Sequence, residues 1–290
     1  MSLAKVFASG RSVLSFELFP PKTDAGMSDL MTSVEELNTH RPDFFTCTYG
    51  AGGSTRDRTL TITAEVRSKL GVPVASHLTC VGSTRDQLRE YLKSAQQRGV
   101  DYIVALRGDP PKGETSFTAV AGGLRYANEL VDLIRTEFPQ FGILVAGYPE
   151  VHQEAPCADT DLENLVRKVN AGADVVVTQL FYDNDDFFSF RDKCVAAGIT
   201  VPIVPGLLPV LTLGQVQRIA SLCKARLPTD FVNRLQQKED ADWQFQVGVE
   251  HATRQAQGLV DAGVPGIHFY VLNKSTATNQ ILSQLTGLNR

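Results

Sequence analysis

Short runs rich in β-branched and aromatic residues alternate along the chain with stretches whose apolar positions recur every three or four residues. The apolar runs are Val13 to Phe19, Phe44 to Tyr49, Val74 to Thr79, Tyr102 to Arg107, Ile143 to Tyr148, Val175 to Phe181, Ile203 to Leu207 and Gly266 to Leu272, eight in all. Between them, sets such as Leu30/Val34/Leu37, Leu88/Leu92/Ala95 and Leu162/Leu165/Val166/Val169 each predict a helix with one face packed on a sheet. Leu70-Gly71-Val72, Arg98-Gly99-Val100, Ala171-Gly172-Ala173, Ala197-Gly198-Ile199 and Ala262-Gly263-Val264 each read as a helix closed by a left-handed glycine and followed at once by a strand. The stretch from Thr212 to Gly263 exceeds one helix and predicts an extra one around Pro228 to Gln237.

Repeated βα units of this number predict a single-domain TIM (β/α)8 barrel. An open doubly wound sheet fits less well, because neither GxGxxG nor GxxxxGK[ST] follows the first strand; Ala51-Gly52-Gly53-Ser54 matches neither pattern.

Composition narrows the function. The 290 residues, 43% hydrophobic and 21% charged, supply ample core for one large domain. A net charge of −4 with no polybasic block argues against nucleic acid or an anionic membrane as partner and favours small molecules. The five cysteines, Cys47, Cys80, Cys157, Cys194 and Cys223, show no metal-ligand spacing, so reduced thiols and no metal site are expected. The first ten residues lack a signal-peptide core and no apolar run has the length of a membrane span, so a cytoplasmic protein is expected.

In a TIM barrel, ligands meet the C-terminal ends of the strands. Strand alternation turns Leu14, Phe16 and Leu18 toward the helix layer and leaves Ser15 and Glu17 inside; the same parity puts His268 and Tyr270 inside. Phe16-Glu17-Leu18-Phe19-Pro20-Pro21 thus carries an ionisable group in an apolar strand. Burial beside aromatic rings would raise the Glu17 pKa and keep a proton for general acid catalysis; otherwise a basic partner neutralises it. Asp109, before Pro110-Pro111, either orients a nitrogen-rich ring or stabilises a turn. Arg107 binds a ligand or pairs with an acid, and His77 and His152 are ligand contacts or structural histidines. Asn164, Arg167 and Lys168 are expected within two turns of a helix start at Asp159-Thr160-Asp161, where a diphosphate could bind; the alternative is an exposed charged face.

Several blocks resemble the methylenetetrahydrofolate reductase family in its catalytic domain: Ser15 to Lys22, Thr48-Tyr49-Gly50-Ala51, His77-Leu78-Thr79-Cys80, Ala105-Leu106-Arg107-Gly108-Asp109, Ala146 to His152, Thr178-Gln179-Leu180-Phe181, Pro205 to Pro209 and His268 to Asn273. They come in order and cover almost the whole chain. The resemblance implies tightly, non-covalently bound FAD that is reduced by NADH or NADPH and then reduces 5,10-methylenetetrahydrofolate to 5-methyltetrahydrofolate, one site serving both. It implies Glu17 as general acid, with Asp109 near flavin and folate and Gln179 bonding substrate or nicotinamide. Thr48, Tyr49, Ala51, His77, Arg107, Gly108, Asp109, Tyr126, Ala127, Tyr148, His152, Asp161, Asn164, Arg167 and Lys168 match flavin-binding positions. Tyr270 and Lys274 would flank the folate. Two positions depart from the enteric bacterial pattern, Leu213 replacing phenylalanine and Lys274 replacing arginine. No regulatory domain is expected, and the exposed helices of a barrel are compatible with a homo-oligomer. The competing reading is a pterin-binding barrel that transfers a one-carbon group without flavin.

Overall fold

The computed structural model describes residues 2–49, 56–110, 113–114 and 116–288. Its strands are β1 (Val13–Leu18), β2 (Phe44–Cys47), β3 (Val74–Thr79), β4 (Tyr102–Leu106), β5 (Gly142–Gly147), β6 (Val175–Thr178), β7 (Ile203–Val204), β8 (Gly206–Leu207) and β9 (Gly266–Tyr270). All pair in parallel, in the order β7-β6-β5-β4-β3-β2-β1-β9-β8. The ends of that order, β7 and β8, are one stretch of chain interrupted at Pro205, so the sheet closes into a TIM barrel.

The expected single strand from Ile203 to Leu207 is therefore broken in two. Ile203 and Val204 register with Val176 and Val177 of β6, whereas Gly206 and Leu207 register with His268 and Phe269 of β9. Proline has no N–H to give to a ladder, but its carbonyl still accepts from His268 N at 2.9 Å. The gap is stitched by side chains: Gly206 N donates to Thr178 Oγ1 at 3.0 Å and the Tyr270 hydroxyl donates to Thr178 O at 2.6 Å. A Cβ on Gly206 would lie 2.3 Å from Thr178 O and 2.6 Å from the Tyr270 ring, so this seam requires glycine.

The helices are α1 (Leu3–Phe7), α2 (Asp24–Asn38), α3 (Arg56–Leu70), α4 (Arg85–Gln97), α5 (Ala127–Glu137), α6 (Ala158–Asn170), α7 (Asn184–Ala196), α8 (Leu213–Cys223), α9 (Thr229–Gln236), α10 (Ala241–Asp261) and α11 (Thr276–Gln284). The extra helix expected around Pro228 to Gln237 is α9. Each of the five expected helix-closing glycines is left-handed, with φ of +67° at Gly71, +76° at Gly99, +114° at Gly172, +84° at Gly198 and +69° at Gly263.

Alternation divides the apolar residues between two cores. Outward-facing Leu14, Phe16, Leu18, Phe45, Ile103, Ile143, Val145 and Phe269 pack against the helices in the large outer core. Inward-facing Val13, Phe44, Ala75, Tyr102, Val104, Leu144, Val175 and Val204 fill the lower barrel, which Leu3 and Val6 of α1 close from below. A third cluster, including Leu180, Tyr182, Leu208, Val216, Phe231 and Val247, seats α8 and α9 on the upper rim.

One device recurs at the lower end. Leu14 N donates to Asp43 Oδ2 at 2.9 Å while Asp43 N donates to Leu14 O at 2.8 Å. Val74 with Asp101 repeats the exchange at 3.0 Å both ways, and Ile143 with Asp174 at 2.7 and 2.8 Å. Each carboxylate also pairs with an arginine, Arg11, Arg67 and Arg135 in turn. An aspartate just before β2, β4 and β6 thus satisfies an otherwise orphaned N–H at the foot of the preceding strand.

Candidate functional site

The upper barrel opens into a cavity of about 570 Å³, within the range of small-molecule sites. Its floor and walls are the inward residues of successive strands: Glu17, Thr46, His77 and Thr79, then Val104 and Leu106, Leu144 and Ala146, Val177 and Gln179, and finally His268 and Tyr270. Thr48, Tyr49, Arg107, Gly108, Asp109, Tyr148 and His152 line its mouth. The expected inward facing of Glu17, His268 and Tyr270 therefore holds.

Glu17 does not behave as its strand alone suggests. Its Oε2 lies 3.2 Å from His77 Nε2 and 3.8 Å from His268 Nε2, and its side chain is 9% exposed. Burial raises its pKa, but the charge of His77, hydrogen bonds from His268 and His77 and the charge of His268 together outweigh burial and hold the carboxyl at about 2. This corrects the expectation of a carboxyl kept protonated by aromatic surroundings: the nearest rings are imidazoles. His268 is fixed in turn by Ser15 Oγ, 2.8 Å from its Nδ1, and by the edge-on Tyr270 ring at 5.0 Å. Ser15, His268, Glu17 and His77 form one buried polar chain.

At the mouth, Arg107 is held by Glu154 through contacts of 2.8 and 2.5 Å and lies over the Phe117 ring. Of its two sequence readings, the acid pair is observed. Gly108 turns the chain with φ +89°, and a Cβ there would come within 2.9 Å of Val81 and 3.0 Å of Thr79, so β4 hands over to Asp109 through a position only glycine fills. Gln179 Oε1 accepts from Leu180 N at 2.9 Å.

Tyr148 meets His152 edge-on at 4.6 Å, and His152 N donates to Asp161 Oδ2 at 2.9 Å. Between them Val151 is left-handed at φ +74°, a strained conformation for a β-branched residue. Burial, with Arg107 nearby, lowers the His152 pKa.

Other expected site residues lie away from the cavity lining. Ala51 falls outside the described residues. Tyr126 caps α5 and is 58% exposed, with Ala127 opening that helix. The helix carrying Asp161, Asn164, Arg167 and Lys168 starts at Ala158, so Arg167 and Lys168 sit in its last turn. That corrects their expected place near a helix start: thirteen helical residues carry them to the opposite end. Arg167 bonds Asn164 at 3.1 Å on the exposed face, whereas Lys168 Nζ reaches inward to Ala146 O at 2.5 Å beneath the Tyr148 ring. Burial pulls the Lys168 pKa down to about 8. Lys274 follows the left-handed pair Leu272 and Asn273, and Asn273 clasps both backbone groups of Phe19.

Sequence reasoning missed Thr46 and the α8 wall of Arg218, Ile219, Leu222 and Cys223. The latter recur at helical spacing on one face, a signal that could have marked α8 as facing something.

Apolar walls, a buried acid–imidazole chain at one end and polar groups converging at the mouth define a TIM-barrel protein with a strand-end cavity of small-molecule size. A family model described as methylenetetrahydrofolate reductase matches residues 2–286. The chain is 39% identical to the 5,10-methylenetetrahydrofolate reductase of Escherichia coli K12 over 98% of its own length and 93% of the relative's. It is 37% identical to a probable methylenetetrahydrofolate reductase (NADH) of rice, over 96% of this chain and 49% of the relative. It thus spans about half the length of the plant relatives it matches. The chain belongs to the methylenetetrahydrofolate reductase family. In fold it resembles a Clostridium thermocellum protein described as binding two copies of 5-methyl-5,6,7,8-tetrahydrofolic acid, with a TM-score of 0.65, 14% identity and 97% of both chains covered.

Proposed function

We propose that the protein reduces 5,10-methylenetetrahydrofolate to 5-methyltetrahydrofolate with NADH or NADPH, in a ping-pong cycle at one FAD-containing site. The observation that carries this reading is the Glu17–His77 pair at the base of an apolar-walled cavity with Asp109 and Gln179 on its rim, in a chain of this family. The residues present fit a flavin: the aliphatic side chains of Val104, Leu106, Leu144 and Val177 suit its rings, and Arg107, Asp109 and His152 bring polar groups to the mouth. Thr48, Tyr49, His77, Arg107, Gly108, Tyr148 and His152 would hold it, with Tyr126, Ala127, Asp161, Asn164, Arg167 and Lys168 serving its more distant parts. Bound FAD would supply hydride relay between nicotinamide and folate.

The chain's own contribution is protonic. Glu17 acts as general acid toward the folate ring nitrogen, opening the five-membered ring so that the one-carbon unit accepts hydride. His77 Nε2, 3.2 Å from Oε2, orients the carboxyl at the base of the cavity. Asp109 and Gln179 orient the folate, while Tyr270, anchored by its hydroxyl to Thr178 O, presents its ring as a wall. Lys274 would meet the ligand's glutamate tail as a point charge.

Purified protein should be yellow, bleach anaerobically with NADH and regain colour with methylenetetrahydrofolate. Protein that takes up no FAD yet binds folate would instead favour the flavin-independent transferase.

A further inference from the structure

The segment that follows β5 holds an acid that does not itself line the cavity yet is bonded to two residues that do. Arg107 forks onto Glu154, Nη1 donating to Oε2 at 2.8 Å and Nη2 to Oε1 at 2.5 Å, and the backbone N–H of Glu154 donates to His152 Nδ1 at 3.1 Å. Arg107 and His152 both line the mouth. A part-exposed ion pair adds little stability, but a two-point fork fixes the direction of a guanidinium as well as its place. Arg107 is held at two further points, its Nε donating to Gly108 O at 3.0 Å and its guanidinium carbon lying 5.2 Å from the centre of the Phe117 ring.

These contacts decide what the two side chains can offer. Gly108 and Glu154 occupy the N–H of Nε and one N–H of each terminal nitrogen, which leaves Arg107 one spare donor on Nη1 and one on Nη2. In His152, Nδ1 accepts, so the neutral ring carries its proton on Nε2 and is a donor there. Burial and the charges of Arg107 and Lys168 favour that neutral ring against the opposing pull of Asp161 and Glu154, and the Tyr148 ring meets it edge-on. Both side chains therefore bring donors to the mouth, which suits the oxygen-rich parts of a flavin nucleotide, its ring carbonyls and its diphosphate. A carboxylate behind such a site either competes with the ligand for Arg107 or holds Arg107 ready for it. The spare N–H groups favour the second role, because a ligand can add to the clamp without displacing Glu154.

We infer that Glu154 is a positioning residue for the flavin nucleotide, its carboxylate aiming Arg107 and its N–H orienting His152 so that both donate to ligand oxygens. The inference rests on the function proposed above. Glu154 touches no ligand and acts through its two neighbours. It reaches Arg107, 47 residues earlier in the chain, by consecutive turns: Val151 N donates to Tyr148 O at 3.2 Å and Ala155 N to His152 O at 2.8 Å, with His152 N pinned to Asp161 Oδ2 at 2.9 Å. The left-handed strain at Val151 thereby has a use, since it turns the chain back and returns the acid to the end of β4.

A double-mutant cycle on FAD affinity separates positioning from a merely structural role. FAD titrated into flavin-free protein, followed by fluorescence, should bind about tenfold more weakly to Glu154→Ala and about threefold more weakly to Glu154→Gln, which keeps an oxygen acceptor for the guanidinium. Arg107→Ala should weaken binding too. Adding Glu154→Ala to Arg107→Ala should then change the affinity by less than about twofold, because the acid has no guanidinium left to hold and the backbone N–H to His152 survives the truncation. Flavin-free Glu154→Ala should melt near the wild-type temperature, as the loss of a part-exposed pair implies. If Glu154→Ala does not fold, the cycle is read with Glu154→Gln, whose smaller loss should likewise vanish beside Arg107→Ala. Losses that add in the double variant, an affinity of Glu154→Ala within about twofold of wild type, or tighter binding as a competitor would give, each overturn the inference. Wild-type protein that takes up no FAD overturns the proposed function itself.

Discussion

The two ends of this barrel are made from the same strands and do opposite work. At the lower end the inward positions are Val13, Phe44, Ala75 and Tyr102, packed under Leu3 and Val6. Two to four residues further along, the same face of the same strands carries Glu17, Thr46, His77 and Thr79. Nothing in the backbone changes between these levels; side chains alone turn a dry core into a reactive chamber. A ladder anchored below can tolerate a strained Val151 and an ion cluster above.

Substitutions at the two ends should therefore separate cleanly. The largest effect is expected from Glu17→Gln, which should slow folate reduction by about 100-fold or more while flavin reduction by NADH persists; equal loss in both half-reactions refutes the acid role. Next comes Phe44→Ala at the lower end, expected to cost about 3–5 kcal/mol in urea unfolding yet leave turnover per folded molecule intact. A drop in turnover there would blur the division. Asp101→Ala strips Val74 N of its acceptor and should cost about 1–3 kcal/mol, again without a catalytic signature.

The smallest effect concerns acid. Because the Glu17 carboxyl is held below its ordinary 4.5, its contribution to stability is fully present above that value and is lost as pH falls toward about 2. Unfolding curves across that window should show a component that Glu17→Gln lacks; identical pH dependence of the two proteins would mean that the imidazole contacts do not depress the carboxyl.

Much of the scaffold was legible because it follows from local rules. Strand parity placed Glu17, His268 and Tyr270, and the five glycine stops fell where a helix must reverse without a Cβ clash. The break at Pro205 could have been read from its missing N–H, but its meaning depends on which strands flank it, and only closure of the sheet decides that. The His77–Glu17–His268 cluster spans sequence separations that no periodicity reports, so a basic partner for Glu17 could be offered only as an unnamed alternative. Lys168 was misplaced by the turn count and not by the helix bounds: both the start near Asp159 and the Gly172 stop were legible, but Lys168 lies in the last turn.

The three aspartate exchanges at the lower end have a further implication. They join β1 to β2, β3 to β4 and β5 to β6, and the sequence lapses where Pro265 precedes β9 in place of a fourth aspartate. The molecule is thus written as three like modules of two strands and one divergent module. Cuts between modules leave each exchange whole, and those joints are where a circularly permuted chain should still assemble; a cut inside a module separates an aspartate from the strand it steadies.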